Sequence, residues 1–150
     1  MVFDYKIGNI SFGVFSTFLN EVEQDFVPPL LSRIDANAYF EKLSKYATMI
    51  GCYYKNELVG LSASYDNNLE SKLAFVTFIA VKSAFRGNNI ASNILSMLEK
   101  HAKDSGMTIV GIDTNNEVAK LCYLKNGYTL KEQHRLTEYN LTRYYLEKNI

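Results

Sequence analysis

Arg86-Gly87-Asn88-Asn89-Ile90-Ala91 is the stretch whose residue types and placement could do chemistry. It lies between an apolar run that reads as a strand and a periodic run that reads as a helix. A helix that starts straight after a strand aims its first four backbone N–H groups at one spot. The positive end of its dipole, worth roughly half an elementary charge, points there too. Such a spot takes an anion, a phosphate or pyrophosphate above all. Gly87 lets backbone come close to a ligand, while Asn88 and Asn89 tolerate the turn and left-handed conformations that align successive N–H groups. Arg86 adds a permanent charge at the rim. Taken alone, the six residues read either as this cradle or as a turn beside a solvated arginine.

The elements that position this loop are legible in outline. Phe3 to Ile7 alternates as a short strand, and Ser11 caps a helix with Phe12, Phe15, Leu19 and Val22 on one face, ending near Phe26. Pro28 and Pro29 stiffen the connection FVPPLLSRID, after which Asp35 caps a helix carrying Tyr39, Leu43 and Tyr46. TMIGCYY and LVGLSASY flank Lys55-Asn56-Glu57 as a hairpin, and KLAFVTFIAV is a long β-branched and aromatic strand that reads as central. From Ile90 the period changes, with Ala91, Ile94, Leu95, Leu98 and Ala102 on one face and Ser105-Gly106 as the stop. MTIVGIDT is a buried strand, Val118 to Lys125 a short helix closed by Asn126-Gly127, and YTLKEQHRL and YNLTRYYLE two final strands. The order β-α-α-β-β-β-α-β-α-β-β predicts a mixed sheet with helices on its faces.

Composition narrows the partners. With 150 residues, 47% of them hydrophobic, one domain over residues 1–150 is expected. Lys+Arg and Asp+Glu balance at 16 each, so no overall field draws the chain to nucleic acid or to a membrane surface. No apolar run approaches the roughly 20 residues that a spanning helix needs. The start MVFDYKIGNI lacks signal-peptide architecture, and two unrelated cysteines, Cys52 and Cys122, suit a reduced cytoplasm. No metal site is expected, and His101 and His134 read as isolated structural or solvated residues. Cys122 reads as packing.

Two patterns at a fixed distance extend the picture. The segment VKSAFRGNNIASNIL, followed after a strand by NEVAKLCYLKNGY, resembles the GNAT superfamily of acyl-CoA-dependent N-acyltransferases. The family pattern N-x-x-A-x-x-x-Y-x-x-x-G-[F/Y] is met by Asn116, Ala119, Tyr123, Gly127 and Tyr128. In the pattern [R/Q]-x-x-G-x-[G/A], Arg86 and Ala91 match, with Gly87 and Ile90 as common companions, but Asn89 stands where Gly is usual. Asn is the residue best able to copy Gly at positive φ.

The resemblance implies an α/β (α+β mixed) fold: a central, mostly antiparallel mixed sheet of about seven strands, flanked by four helices and splayed between its fourth and fifth strands. It implies acetyl-CoA as co-substrate, with Arg86 to Ala91 cradling the pyrophosphate. It implies that the pantetheine arm runs along the backbone of Phe78, Ile79, Ala80 and Val81, where Ile79 or Val81 N–H can meet the acetyl carbonyl. Asn116 is implied beside the pantetheine and Tyr123 beside the thioester sulfur, as general acid. A phenol near pKa 10 protonates a thiolate whose acid lies near 8.5 slightly uphill, by about 1.5 pKa units, so position matters more than driving force.

The general base is not readable. Many relatives place a Glu in the strand before the loop, yet KLAFVTFIAV offers only Thr77 as a polar interior residue. Asp66, Glu70, Asp113, Glu21 and Glu23 stay as alternatives, none singled out. Arg33, behind the paired prolines, is a substrate-binding candidate suited to a carboxylate or phosphate, and Tyr145 is another among several tyrosines that could floor the acceptor site.

The expected function is therefore N-acetyl transfer to a primary amine of a small molecule in a ternary complex. FVPPLLSRID with Tyr39, Lys42 and Leu43 is similar to GNAT proteins of bacterial surface-glycan synthesis, which makes an amino sugar, nucleotide-linked or not, the alternative acceptor. A non-catalytic acyl-CoA-binding module is the second alternative. Pairing of C-terminal strands across a homodimer is a further expectation of the resemblance.

Overall fold

The hairpin around Lys55 sets the frame of the sheet in the computed structural model, which describes residues 1–150. Strand β2 (Thr48–Tyr54) turns into β3 (Glu57–Tyr65) through Lys55 and Asn56, at φ 48° and 67°. Two successive left-handed residues give the turn whose twist matches that of the flanking strands. Strand β1 (Asp4–Ile7) pairs antiparallel with β2, and β4 (Leu73–Val81) pairs antiparallel with β3. Beyond them lie β5 (Ile109–Thr114), β6 (Thr129–Leu136) and β7 (Leu141–Asn149), and the seven strands form one sheet in the order β1-β2-β3-β4-β5-β7-β6. Only β4 and β5 run parallel.

Four α-helices flank the sheet. Helix α1 (Phe12–Val22) starts at Ser11, whose Oγ accepts from Val14 N–H at 3.2 Å, and α2 (Ala36–Tyr46) starts at Asp35, whose Oδ1 accepts from Asn37 N–H at 2.9 Å. The first helix stops earlier than its periodicity suggests: after Val22 the chain tightens into a 3-10 turn, Glu23–Asp25, before Phe26 extends toward the prolines. Helix α3 (Ile90–Asp104) follows β4, and α4 (Glu117–Lys125) follows β5. No helix is long and apolar enough to cross a membrane.

Each face of the sheet buries its own core. On one, 17 buried residues gather beneath α3 and α4, among them Ile50, Val76, Ile94, Leu95, Leu98, Ile112 and Leu146. On the other, 11 gather beneath α1 and α2, among them Phe15, Phe18, Leu19, Leu43, Leu61 and Phe78.

Where β4 changes allegiance between these cores, the sheet opens. Ala63 opposes Phe78 and Ser64 opposes Val76, so Thr77 is an extra residue without a partner on β3. This bulge moves β4 side chains across: Ala74 and Val76 belong to the α3 core, Phe78 to the α1–α2 core. Pairing of β4 with β5 runs from Leu73↔Ile109 to Val76↔Ile112 and goes no further. Beyond that point β4 stays on β3 as far as Val81 and β5 stays on β7 as far as Thr114, so the two strands part while each keeps a neighbour. A bulge raises local twist, which is the physical reason for divergence here.

Candidate active site

The splay, the Thr77 bulge and the start of α3 lie at the same end of β4. A 3-10 turn, Ser83–Phe85, leads into Arg86 and Gly87, the latter at φ 82° with nothing within 4 Å of where a Cβ would stand. The loop therefore has room for a bulky anion against its backbone. Asn89 caps α3 in the left-handed conformation, φ 58° and ψ 23°, and its side chain bonds to no N–H of the first turn. Asn has taken over the conformational role of Gly at this position. The first ladder bond runs from Asn93 N–H to Asn89 C=O at 3.0 Å, so the N–H groups of Ile90, Ala91 and Ser92 precede the ladder. Ile90 buries its side chain in the core and offers only main chain to a ligand. Asn88 Nδ2 donates to Phe85 C=O at 2.9 Å and holds the loop closed on itself.

Two residues outside the motif patterns fix this loop in space. Lys82, 6% exposed, ends β4 with its Nζ 2.9 Å from Glu21 Oε2 and 3.2 Å from Glu57 Oε2, tying the loop's start to α1 and β3. Asn126 Nδ2 donates to Ser92 Oγ at 3.1 Å and to Cys122 C=O at 2.8 Å, which joins the end of α4 to the first turn of α3. Sequence reading passes over both, because their partners are 25 to 61 residues away for Lys82 and 34 for Asn126–Ser92. Arg86 stands at the loop's rim and pairs with Asp25 Oδ2 at 2.8 Å, both groups largely in solvent.

Of the strand residues expected along the coenzyme, Phe78 turns its ring into the α1–α2 core and Ala80 packs against it, while Ile79 and Val81 pack on the α3 core. Lys82 N–H donates to Val59 C=O at 2.9 Å, so by the alternation of a strand Phe78 and Ala80 also turn their main chain to β3, and Ile79 and Val81 offer theirs along the edge that β5 has left. Asn116 caps α4, its Oδ1 accepting from Ala119 N–H at 2.9 Å. Its Nδ2 is then the group left for a carbonyl.

Tyr123 is 5% exposed, its ring 6.1 Å from that of Tyr128 and tilted against it. Burial pushes its phenol well above the ordinary tyrosine range, with a smaller contribution from Cys122. The side chain is protonated at neutral pH, and burial makes it a weaker acid than an exposed phenol. Tyr128 differs: its hydroxyl donates to Glu99 Oε2 at 2.8 Å, and Lys148 Nζ meets Glu99 Oε1 at 2.8 Å.

On the α1–α2 side, Tyr39 reaches the bulge. Burial raises its pKa, while the nearby Thr77 side chain and Arg33 guanidinium act weakly the other way. Arg33, Tyr39 and Thr77 thus form one cluster. Tyr145 belongs to another. It lies over Gly111, where a Cβ would stand 2.5 Å from the Tyr145 hydroxyl, and that hydroxyl donates to Glu147 Oε2 at 2.6 Å. It lines an open cavity of about 330 Å³ with Asp113, Glu132, His134 and Arg143.

Among the five carboxylates weighed as bases, Asp113 borders the splay, one residue beyond the last β4–β5 pair, and is engaged by Arg143. Glu21 is held by Lys82, while Asp66 binds His101 Nδ1 at 2.7 Å and accepts from Thr48 Oγ1 at 2.9 Å. His101 is structural. Glu70 is exposed and Glu23 is half-buried.

The sequence profile of the acetyltransferase (GNAT) family matches residues 16–128. Solved structures of low identity share the fold. An acetyltransferase of the GNAT family from Streptococcus pneumoniae superposes with a TM-score of 0.75 at 16% identity, over 98% of this chain and 99% of that one. The ribosomal-protein-S18-alanine N-acetyltransferase of Escherichia coli superposes with a TM-score of 0.76 at 12% identity, over 98% and 94%. A Bacillus anthracis protein provisionally assigned as a streptothricin acetyltransferase, solved with acetyl coenzyme A, gives 0.62 at 18% identity, over 70% of this chain and 63% of that one. No curated protein matches the chain.

Proposed function

Because the chain belongs to the GNAT acetyltransferase family, and is therefore an acyltransferase using acetyl-CoA, we propose that it acetylates a primary amine of a small molecule by direct attack within a ternary complex. The observation that carries this reading is the parting of β4 from β5 beside the unpartnered Thr77, at the end of β4 where the first N–H groups of α3 precede the helical ladder. A thioester in the splay supplies an activated acetyl group. Main-chain N–H groups of the β4 edge stabilise charge on the acetyl oxygen, and backbone donors do so without reorganising. Gly87 to Ala91 bind the diphosphate, and the Asn116 amide orients the pantetheine. Tyr123 delivers its proton to the departing thiolate, while the attacking amine gives up its own proton to water.

Acceptors enter from the α1–α2 side, since the other face is filled by α3 and α4. Arg33 beside Tyr39 and Thr77 favours an acceptor that carries an anionic group, such as a nucleotide-linked amino sugar. Strand β6 is exposed along its length and ends the sheet, and pairing of two copies along it is the assembly we favour.

Thiol release from acetyl-CoA with amines, amino acids, polyamines and nucleotide amino sugars tests the proposal. At least one acceptor should turn over. Tyr123→Phe should lower kcat roughly 100-fold while the coenzyme dissociation constant changes less than about twofold. Unchanged turnover in Tyr123→Phe, or no acceptor despite tight coenzyme binding, would remove the catalytic reading.

A further inference from the structure

The segment from Glu23 to Val27 crosses the mouth of the splay and touches both of its banks. On the β4 bank, Asp25 Oδ2 takes a hydrogen bond from Arg86 Nη2 at 2.8 Å, and the Phe26 ring stacks on Phe78 with centroids 5.6 Å apart and planes 22° from parallel. On the β5 bank, Asn115 Nδ2 donates to Val27 C=O at 3.0 Å. Arg86 follows β4 and Asn115 follows β5, so one five-residue strap is fastened to the ends of the two strands that separate.

The fastenings differ in kind. Asn115 to Val27 is a neutral bond to backbone, and Phe26 on Phe78 is apolar contact. Asp25 to Arg86 is an ion pair with both side chains about half exposed, and its acid occupies the one guanidinium at the rim of the anion loop. A diphosphate at that loop carries more charge than a single carboxylate and presents the same oxygen geometry to Arg86.

We propose that Asp25 is a built-in competitor for the coenzyme diphosphate, and that the diphosphate, by taking Arg86 from it, releases the β4-side fastening of the strap. The inference rests on the coenzyme reading given above. Its consequence is an order of events. In the free protein the strap is held over the acceptor side of the splay. Once the coenzyme is bound, Asp25 has lost its partner, so the strap is held at Phe26 and Val27 alone and the acceptor side opens.

The test is equilibrium binding of CoA to the wild-type chain, Asp25→Asn, Arg86→Ala and the double variant. Exposed pairs are weak, so Asp25→Asn should tighten CoA by about two- to fivefold at low salt, with the gain shrinking as salt rises. Arg86→Ala should weaken it, and on that background Asp25→Asn should change nothing if the competition runs through Arg86. Hydrogen exchange at Gln24 to Phe26 should quicken when CoA is added to the wild type and should already be fast in Asp25→Asn. CoA that binds as well or better with Asp25 in place, or an Asp25→Asn gain that persists without Arg86, overturns the inference and leaves the coenzyme reading standing. Failure of every variant to bind CoA overturns both.

Discussion

The face of the sheet under α3 and α4 and the face under α1 and α2 differ in the balance of forces that hold them, although ring pairs such as Phe3–Tyr54 and Tyr123–Tyr128 occur on the first as well. On the first, directional bonds join element to element: Tyr128 and Lys148 both meet Glu99 at 2.8 Å, Asn126 meets Ser92 at 3.1 Å, and Asn93 Nδ2 donates to the Tyr5 hydroxyl at 3.0 Å. On the second, rings pack on rings: Phe12 and Phe15 lie 5.4 and 5.2 Å from Phe40, and Phe18 and Phe26 both meet Phe78. Hydrogen bonds weaken steeply with angle and distance, whereas ring contacts tolerate sliding. A site whose donors are backbone N–H groups needs the first kind of support. A site that admits a second substrate is served by the second kind.

That difference can be broken in a graded way. Phe15 is 0% exposed, and Phe15→Ala should cost about 3–5 kcal/mol in denaturant unfolding while leaving CoA affinity of the folded protein within roughly twofold. Glu99→Ala should cost less, about 2 kcal/mol, since Lys148 keeps partial contact with water after losing its partner. It should nevertheless weaken CoA binding more than Phe15→Ala does, because α3 and α4 lose a common anchor. Equal effects of the two changes on CoA affinity would erase the distinction between the faces.

The tyrosines of the α3 face supply a pH signature. Tyr123 and Tyr128 are both raised above the ordinary value of 10.0, chiefly by burial, and for Tyr128 also by Glu99. Below that value the folded and unfolded chains hold the same phenolic protons. Above it the unfolded chain gives them up first and binds fewer protons, so stability falls as pH rises. The unfolding free energy should be flat from neutrality to about pH 9 and lower by roughly 2 kcal/mol at about pH 10.5. Tyr128→Phe should flatten part of that fall. The smallest effect is at Ser62, fully buried with its hydroxyl unpartnered beneath α3. Ser62→Ala should be neutral or stabilising by less than about 1 kcal/mol, read from the same unfolding curves.

Much of the α3 face was legible in the residue order. Gly87, Asn89 and the Asn116-to-Tyr128 spacing announce backbone conformations and a cap, which are local properties, and the structure has Asn89 left-handed and Asn116 at the cap. The bulge was not legible. In AFVTFIAV nearly every residue is apolar, so a one-residue slip leaves no mark in the pattern, and Thr77 looks like an ordinary interior position. Nothing in the residue order marks Lys82 for burial, and only the arrival of Glu21 and Glu57 makes it a buried anchor.

Residue order by itself determined the element sequence, the turn before α3 and the tyrosine on α4, because caps, turns and periodicities are set by neighbours along the chain. Tertiary structure alone decided where β4 leaves β5, which carboxylate borders the gap and what lies across its mouth. Those depend on pairs such as Asp25–Arg86 and Asn115–Val27, brought together over 61 and 88 positions of chain, and no local preference encodes a contact at that separation.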